Sequence, residues 1–449
     1  MNHIRIPFVA LLTALFAAGL AFAQPYSEYE GTTIVVSWPA LNHFEVAADL
    51  IDQFTEETGI EVELDLTQYL NMKDRQITEI SKPNSGDLDV VAWVVFTKNE
   101  YVDNGWLTPL APFLNNPRLT MPDYDIEDIV PAYLTNGGKS GGAKGYLDGP
   151  GASLYGIPFS PETSILAYRT DIFEENNLEV PTTYDELLET AQFITDNVEG
   201  VYGMTTRGSA GHQVVHAWLL HLSPLGGTVL DENYNPVVNS PEAIAATETL
   251  QTILNNAPPG AEANGAGEQD AAFLQGDAAM YLDRMAIAPL VSDPELSTVA
   301  GKVGYALHPT AETCGSETGG FAMGIPANSE RKEAAWLFIQ WFTSKMGDKM
   351  VVEAGGNPMR LSTMEDPALQ EMHPEFPVVL EQLECANADW RPLIPEWPAM
   401  NAPILGEEIS AALTGQKSIE EAMNSANERI RELLEREGYY SWETEGEGN

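Results

Sequence analysis

The sequence predicts an α/β protein built from more than one lobe. Strand-like and helix-like segments alternate along its first hundred residues, and helical patterns separated by strands fill its second half. The chain has 449 residues, whereas a domain has about 100–200, so two or three domains are expected. Apolar residues make up 44% of the chain, which is enough for a packed core and excludes disordered and fibrous classes.

The first hundred residues carry the clearest secondary-structure pattern. Thr32–Trp38 is rich in β-branched residues, and Phe44–Thr58 places apolar residues at helical spacing. Ile60–Leu66 alternates apolar and charged residues, as a strand with one covered face does. Met72–Ile80 is again helical in pattern, and Leu88–Phe96 is a continuous apolar strand. This order predicts βαβ units and a parallel sheet.

The second half is dominated by helical patterns. Ser164–Tyr168 has the pattern of a strand, and Thr183 with Glu186 forms the capping-box signature of a helix over Tyr184–Asn197. The further predicted helices are His212–Leu222, Pro241–Asn255, Ala271–Met280, Arg331–Lys345, Gly406–Leu413 and Ile419–Arg436. Strands lying between such helices predict a second α/β lobe.

The charge is strongly one-sided. The 67 acidic residues against 22 basic ones give a net charge of −45. Such a field repels phosphate backbones and anionic lipids, so we expect no binding to nucleic acid or to a membrane surface. The acidic residues are spread along the whole chain, which indicates a solvated surface suited to high salt and a halophilic or marine source.

The amino terminus has the three parts of a secretory signal. Met1–Ala23 contains Arg5 near its start, an apolar run over Ile6–Phe22 and an A-x-A end. The alternative is a transmembrane anchor, but the apolar run is short for a span. We therefore expect cleavage near Ala23 and a soluble periplasmic protein.

The chain contains two cysteines, Cys314 and Cys385. In an oxidising compartment such a pair favours one disulfide, which would stabilise the fold by roughly 4 kcal/mol. Two separate thiols are the alternative, and metal ligation by this pair alone is not expected.

Motifs for metal and catalytic chemistry are incomplete. His212 and His216 lie four apart on a predicted helix, but zinc-protease chemistry needs a Glu at the position of Gln213. A structural or transported metal stays an alternative. Asp231–Glu242 imitates a calcium loop but carries Pro236 where a glycine is required. We therefore expect no catalytic residues, no metal and no cofactor.

Aromatic and polar residues that follow strands or lie in loops are the candidates for a ligand site. Ligands of open α/β sheets bind beyond the carboxyl ends of strands, where rings can cover a sugar face and charged groups can bind its hydroxyls. The candidates are Trp38, Asn42, His43, Tyr69, Trp93, Glu162, Asp283, Phe321, Arg360 and Trp397, with Arg284, Asn357 and Trp390 beside them.

Several segments together resemble one protein family over nearly the whole chain after the signal. They are Tyr155–Arg169, Val180–Leu187, Phe273–Met280, Gly320–Ala327 and Ala411–Ala422. In these segments the chain is similar to the extracellular solute-binding proteins of ABC importers, the family that takes sugars and polyols. Maltose-type and trehalose-type members are close competitors of the polyol and monosaccharide binders.

The resemblance implies a two-lobe periplasmic-binding-protein fold of type II, with discontinuous lobes joined by a hinge. The expected lobes are 31–161 with 302–345, and 162–301 with 346–449. The resemblance also carries over site roles to Glu162, Asp283, Arg360 and Trp397. Phe321 follows two glycines where related proteins often place tryptophan, which implies a roomier subsite.

The expected function is to bind a carbohydrate (a polyol, a mono- or a small oligosaccharide) by hinge closure and to deliver it to permease subunits in the membrane. We expect a monomer. The alternatives are a secreted carbohydrate-active enzyme and a periplasmic receptor for a metal or a peptide.

Overall fold

The structure is a computed structural model that describes residues 26–142 and 151–440. The predicted signal segment 1–23 lies outside the described residues. Among the helices of the described part, none combines the length and the apolar character needed to cross a membrane.

Eleven strands form in the described part of the chain. They are β1 (Thr33–Pro39), β2 (Glu61–Thr67), β3 (Val90–Val94), β4 (Lys139–Ser140), β5 (Ser153–Leu154), β6 (Gly156–Arg169), β7 (Tyr202–Thr205), β8 (Ala278–Arg284), β9 (Val303–Ala306), β10 (Ser316–Gly324) and β11 (Ala386–Asn387).

Helices pack against the strands. The α-helices are Asn42–Ala48, Ile51–Thr58, Tyr69–Ile80, Lys98–Asp103, Ala111–Leu114, Pro131–Tyr133, Thr170–Asn176, Tyr184–Asn197, His212–Leu222, Pro241–Asn255, Ala266–Leu274, Ile287–Ser292, Lys332–Thr343, Lys345–Glu353, Leu361–Met364, Pro367–Met372, Phe376–Leu383, Trp397–Met400, Glu407–Leu413 and Ile419–Arg436. Short 3₁₀ turns span Val95–Thr97, Ile126–Asp128 and Ala261–Ala263, and π-helical turns span Leu134–Gly138 and Asn401–Gly406.

The sheet order explains the two-lobe architecture. The strands follow the order β2-β1-β3-β10-β6-β8-β7, with β9 on β6 and β11 on β10. The pairs β1–β2, β1–β3 and β7–β8 are parallel, as the strand–helix alternation predicts. β10 is antiparallel to β3 and to β6, and β6 is also antiparallel to β8. β10 and β6 occupy the centre of the strand order, so both lobes share them.

The two shared strands change conformation at the same level. Their pairing runs from Gly324 opposite Gly156 to Thr318 opposite Thr163, with a register shift between Gly320 and Ala322. Ser160 on β6 has φ +61° and Gly320 on β10 has φ +85°. Both values lie in the left-handed region, so the strands bend here together.

Two large apolar cores lie on either side of this bend. The first surrounds Trp38, whose ring contacts Phe44, Phe159, Phe338 and Phe342 at centroid distances of 5.4–5.6 Å. The second joins the helix His212–Leu222 to the carboxy-terminal helices through residues such as Trp218, Trp390 and Trp397. The two cores give each lobe its own hydrophobic centre.

Several local predictions are confirmed. Thr183 and Ser418 cap their helices, and each forms the reciprocal capping box with a glutamate three residues later. Cys314 and Cys385 form a disulfide with a Cα–Cα distance of 5.6 Å. The disulfide lies beside the pairing of Ser316 with Ala386, so it holds β11 against the start of β10.

Two sequence expectations need correction. The predicted helix Ala271–Met280 ends at Leu274, and β8 begins at Ala278, because Gly276 turns the chain with φ +83°. The packing also does not follow the lobe boundaries predicted at residues 302 and 345. β9 was assigned to the first lobe but pairs with the Leu166–Arg169 end of β6, which was assigned to the second. Val351 was assigned to the second lobe but packs into the first core.

Candidate functional site

A cavity of about 250 Å³ lies between the lobes, at the level where β6 and β10 bend. Its lining comes from both sides of the bend. The lining residues are Leu41, Asn42, His43, Val94, Phe96, Ser160, Glu162, Arg207, His212, Gln213, His216, Ala266, Asp270, Arg284, Ala286, Leu290, Glu317, Gly320, Phe321, Asn357 and Arg391.

Asp283, near the end of β8, lies behind one wall of the cavity and holds two residues of that wall, Arg207 and His216, by hydrogen bonds. Arg207 donates from Nε and Nη2 to its two oxygens at 2.8 and 2.9 Å, and His216 Nε2 lies 3.0 Å from Oδ1. Burial alone would raise the pKa of Asp283, but the charge of Arg207 holds that pKa well below its usual range. Asp283 is therefore an ionised anchor that fixes Arg207 and His216 in place.

The two histidines of this wall are neutral. Burial, with Arg207 next, lowers the pKa of His216 to about 3. The contact to Asp283 is therefore a hydrogen bond from a neutral imidazole, not an ion pair. Burial and the nearby Arg391 likewise lower the pKa of His212, whose Nδ1 accepts from Asn401 Nδ2 at 2.9 Å.

Glu317 on β10 lies at the base of the cavity. Burial and the neighbouring Glu162 carboxylate raise the pKa of Glu317 to about 8, so at neutral pH this group is a carboxylic acid. Its Oε1 is 3.5 Å from Arg391 Nη2. Within residues 26–142 and 151–440, no hydrogen-bond partner reaches Oε2.

A second arginine–carboxylate group lies on the same wall. Arg284 Nη2 bonds to Asp270, and its Nε is 3.6 Å from Glu162 Oε1. Tyr281 donates to the other oxygen of Asp270 at 3.0 Å. The wall thus presents three arginines, each placed beside at least one carboxyl group.

The opposite wall is formed by neutral groups. His43 Nδ1 accepts from the backbone N–H of Asn357 at 2.9 Å, so the ring proton is on Nε2. Among the residues that the structure describes, this Nε2 has no acceptor. Burial lowers the pKa of His43 to about 3. Asn42 and the ring of Phe321 complete this wall.

His216, Asp283 and Glu317 also form a possible metal-ligand set. One ligand atom of each lies within 4.8 Å of the others. However, Asp283 already accepts hydrogen bonds from Arg207, His216 and the backbone of Arg284. A divalent cation would meet the positive charges of Arg207 and Arg391 at the same place. The donor set therefore does not fit a metal ion.

The structure brings half of the predicted site residues together. Asn42, His43, Glu162 and Phe321 line the cavity, and Asp283 supports it from behind. Tyr69 begins the helix Tyr69–Ile80.

Three candidates lie in the cores instead. Trp38 points into the first core, and Trp397 is fully buried in the second. Trp93 packs against Gly156 and Gly324, where added Cβ atoms would meet its ring at 2.4 and 2.6 Å. These three tryptophans fill core volume and do not line the cleft. This corrects the strand-end prediction for Trp38 and Trp93 and the site role that the resemblance implied for Trp397.

Arg360 is a structural residue. Its guanidinium donates to the carbonyl oxygens of Thr343, Asp125 and Tyr124, each at 2.8 Å, and to Asp128 at 3.1 Å. The side chain is fully buried, so its hydrogen-bonding capacity serves the fold and not a ligand.

Sequence reasoning missed several cleft residues. His212 and His216 stood out only as metal candidates, and Glu317 was not among the predicted site residues. Arg207 and Arg391 carried no local signal, because their partners are distant in sequence. Arg207 meets Asp283 76 positions later, and Arg391 meets Glu317 74 positions earlier.

Comparison with known proteins agrees with this architecture. Residues 44–349 match the family described as bacterial extracellular solute-binding protein. The mannitol-binding protein of Pseudomonas aeruginosa is 29% identical over 391 residues, which cover 82% of this chain and 85% of that protein.

Two solved structures are similar over most of the chain. An ABC transporter solute-binding protein from Agrobacterium radiobacter in complex with ribitol is 30% identical, with a TM-score of 0.80, over 90% of this chain and 99% of that one. A solute-binding protein from Agrobacterium vitis with bound D-mannitol is 28% identical, with a TM-score of 0.78, over 91% and 99%. The chain therefore belongs to the bacterial extracellular solute-binding protein family of ABC importers.

Proposed function

We propose that the ligand of this ABC importer component is an alditol or another small uncharged carbohydrate bound in the cleft. The single observation that carries this proposal is that two residues lining the cavity each hold a buried polar atom without a hydrogen-bond partner within the described residues, His43 Nε2 and Glu317 Oε2. A ligand hydroxyl group can accept a hydrogen bond from His43 Nε2, and a hydroxyl can also form a hydrogen bond with Glu317 Oε2, because a hydroxyl is both donor and acceptor.

The charges of the cavity support an uncharged ligand. Arg207 is bound to Asp283 and Arg284 to Asp270. Charged groups paired in this way can still accept or donate further hydrogen bonds, but they present little net field to the ligand. A polyhydroxylated chain matches such a wall, and the mannitol and ribitol binders named above are relatives of this chain.

The bend of β6 and β10 supports hinge closure. Ser160 and Gly320 are the positions where the two shared strands leave the regular conformation. We place the lobe boundary there, so that 26–159 with 321–359 form the first lobe, and 161–319 with the carboxy-terminal helices form the second. Ligand contacts with both walls would stabilise the closed state relative to the open one.

Location and partners complete the proposal. The signal is cleaved near Ala23, the mature protein acts in the periplasm as a monomer, and the closed form delivers its ligand to the permease subunits. The acidic surface suits a salty environment and disfavours nucleic acid. Amino-terminal sequencing of the exported protein should begin at Gln24, and its mass in solution should be that of one chain.

Titration calorimetry of the mature protein tests the ligand class. The panel consists of ribitol, mannitol, sorbitol, glucose and maltose, with glutamate as a charged comparison. We expect at least one polyol or sugar to bind with a dissociation constant in the micromolar range, about −8 kcal/mol. Binding of glutamate alone, or of no carbohydrate, would contradict the proposal.

Two glutamines give a matched pair of variants. Gln213 lines the cavity and accepts from Arg207 at 3.3 Å, whereas Gln53 lies on the outside of the first lobe and donates to Glu57. Gln213→Ala should weaken binding about fivefold to tenfold, the value of about one hydrogen bond. Gln53→Ala should leave the affinity unchanged.

A further inference from the structure

A second cavity of about 200 Å³ adjoins the ligand cleft. The two cavities share the lining residues Val94, Phe96 and His212, so they are neighbours on either side of these side chains. On the far side it is lined by groups from both lobes, among them Met72 and Asn401. The extra space nearly doubles the volume available between the lobes.

Asn401 gives this second cavity an unused polar atom. Its side chain is only 3% exposed and its Nδ2 donates to His212 Nδ1. In the part of the chain that the structure describes, nothing donates to its Oδ1. A buried amide oxygen without a donor is unfavourable because it has lost its hydrogen bonds to water, and a ligand hydroxyl would restore one.

Phe96 supplies an apolar surface at the junction of the two cavities. The centroid of its half-buried ring lies 5.1 Å from the centroid of the His212 ring and 5.3 Å from Cζ of the Arg391 guanidinium. Met72 and Pro398 extend the apolar lining. Lys73, the cationic residue of this lining, is ion-paired with Glu100. The second cavity therefore matches an uncharged ring with one apolar face and hydroxyl groups at its edge.

Resting on the proposed function, we propose that the second cavity is a subsite for one additional sugar ring. The preferred ligand class is then an alditol that carries a glycosyl unit, or a disaccharide of similar size. The alditol portion binds between His43 and Glu317, and the glycosyl ring passes Phe96 to reach Asn401.

Paired ligands test this subsite in calorimetry of the mature protein. Sorbitol is compared with maltitol, its glucoside, and mannitol with glucosyl-mannitol. We expect at least one glucoside to bind about tenfold more tightly than its free alditol. If the free alditols bind and both glucosides bind more weakly, the subsite is refuted while the proposed function stands. If none of the four binds, the subsite is refuted, whereas the proposed function fails only if ribitol, glucose and maltose also do not bind.

Two variants separate the subsite from the main cavity. Asn401→Ala should weaken glucoside binding about fivefold and change free-alditol binding less than twofold. Ala402, which lines the second cavity, can be changed independently of Asn401. Ala402→Leu should fill the space and block the glucoside while the free alditol still binds. An equal loss for both ligands in each variant, with unchanged circular dichroism, would overturn the proposal.

Discussion

The two walls of the cleft differ in kind. One wall, which we call the charged wall, is supported from behind by Asp283 and contains Arg207, Arg284 and Arg391. Most of its polar atoms are already hydrogen-bonded to carboxyl partners within the wall. The facing wall, with Asn42, His43 and Phe321, is neutral. A network that is fixed before the ligand arrives can select it, because little reorganisation is needed. We infer that the charged wall selects the ligand and the neutral wall covers it.

The strands that join the two walls should be the most sensitive point. An added Cβ at Gly320 would lie 2.2 Å from Ser160 O and 2.8 Å from Pro161 Cα, and φ is +85°. Gly320→Ala should therefore cost about 5 kcal/mol of unfolding free energy, measured by urea denaturation. Gly301→Ala is the control, because φ is +74° there but no atom lies within 4 Å of the added Cβ. That variant should cost about 1 kcal/mol. Equal losses would show that the bend is not constrained by packing.

The charged wall depends on the disulfide. Cys314–Cys385 holds β11 beside β10, next to the segment in which Trp390 donates to Thr318 O at 2.9 Å and supports Arg391. Replacing both cysteines by serine should lower the free energy of unfolding by about 4 kcal/mol, since the bridge closes a long loop. Affinity should fall as well, because Arg391 loses its support. Unchanged stability in a denaturation curve would contradict this prediction.

Glu317 makes the charged wall sensitive to pH. Its folded pKa is raised to about 8 from an ordinary 4.5, mainly by burial and by Glu162, while His216, Asp283 and Arg391 also face it. The folded state therefore holds this proton more tightly, so the stabilisation is complete below pH 4.5 and is lost as the pH rises to about 8.

Glu317→Gln removes this titration and keeps the shape of the side chain. The stability of the variant relative to the natural protein should be greater at pH 8 than at pH 5 by about 3–4 kcal/mol, measured by thermal unfolding. A difference that is the same at both pH values would show that Glu317 titrates normally.

A substitution in the neutral wall, formed by Asn42, His43 and Phe321, should have the smallest effect on ligand affinity. Asn42 is exposed and donates to Gly355 O at 2.9 Å, so Asn42→Ala loses one contact at the edge of the cleft. We expect the dissociation constant to rise less than about threefold, below the effect of Gln213→Ala. A larger loss for Asn42→Ala in calorimetry would reverse the roles assigned to the two walls.

Local patterns predicted the fold better than the site. The alternation in the first hundred residues predicted β1 to β3, and the capping boxes at Thr183 and Ser418 predicted helix starts, because these signals lie within a few residues. Position after a strand does not reveal which face a side chain occupies. Trp38 and Trp93 therefore matched the site rule although their rings fill the cores.

The charged wall shows why the rest could not be predicted. Arg207 becomes a site residue only when β7 and β8 pair and bring it to Asp283. Arg391 likewise depends on the pairing of β11 with β10. Such contacts are set by tertiary structure, so no pattern within a single segment identifies them.

The central position of β10 has a consequence for biogenesis. β10 lies between β3 and β6, and its Gly324 pairs with Gly156. A nascent chain that has reached only β6 lacks the strand that joins β3 to β6. Its exposed strand edges invite aggregation until translation has passed residue 324. The same delay favours transport across the membrane in an unfolded form, since a chain without its central strand cannot fold early and stall in a translocation channel.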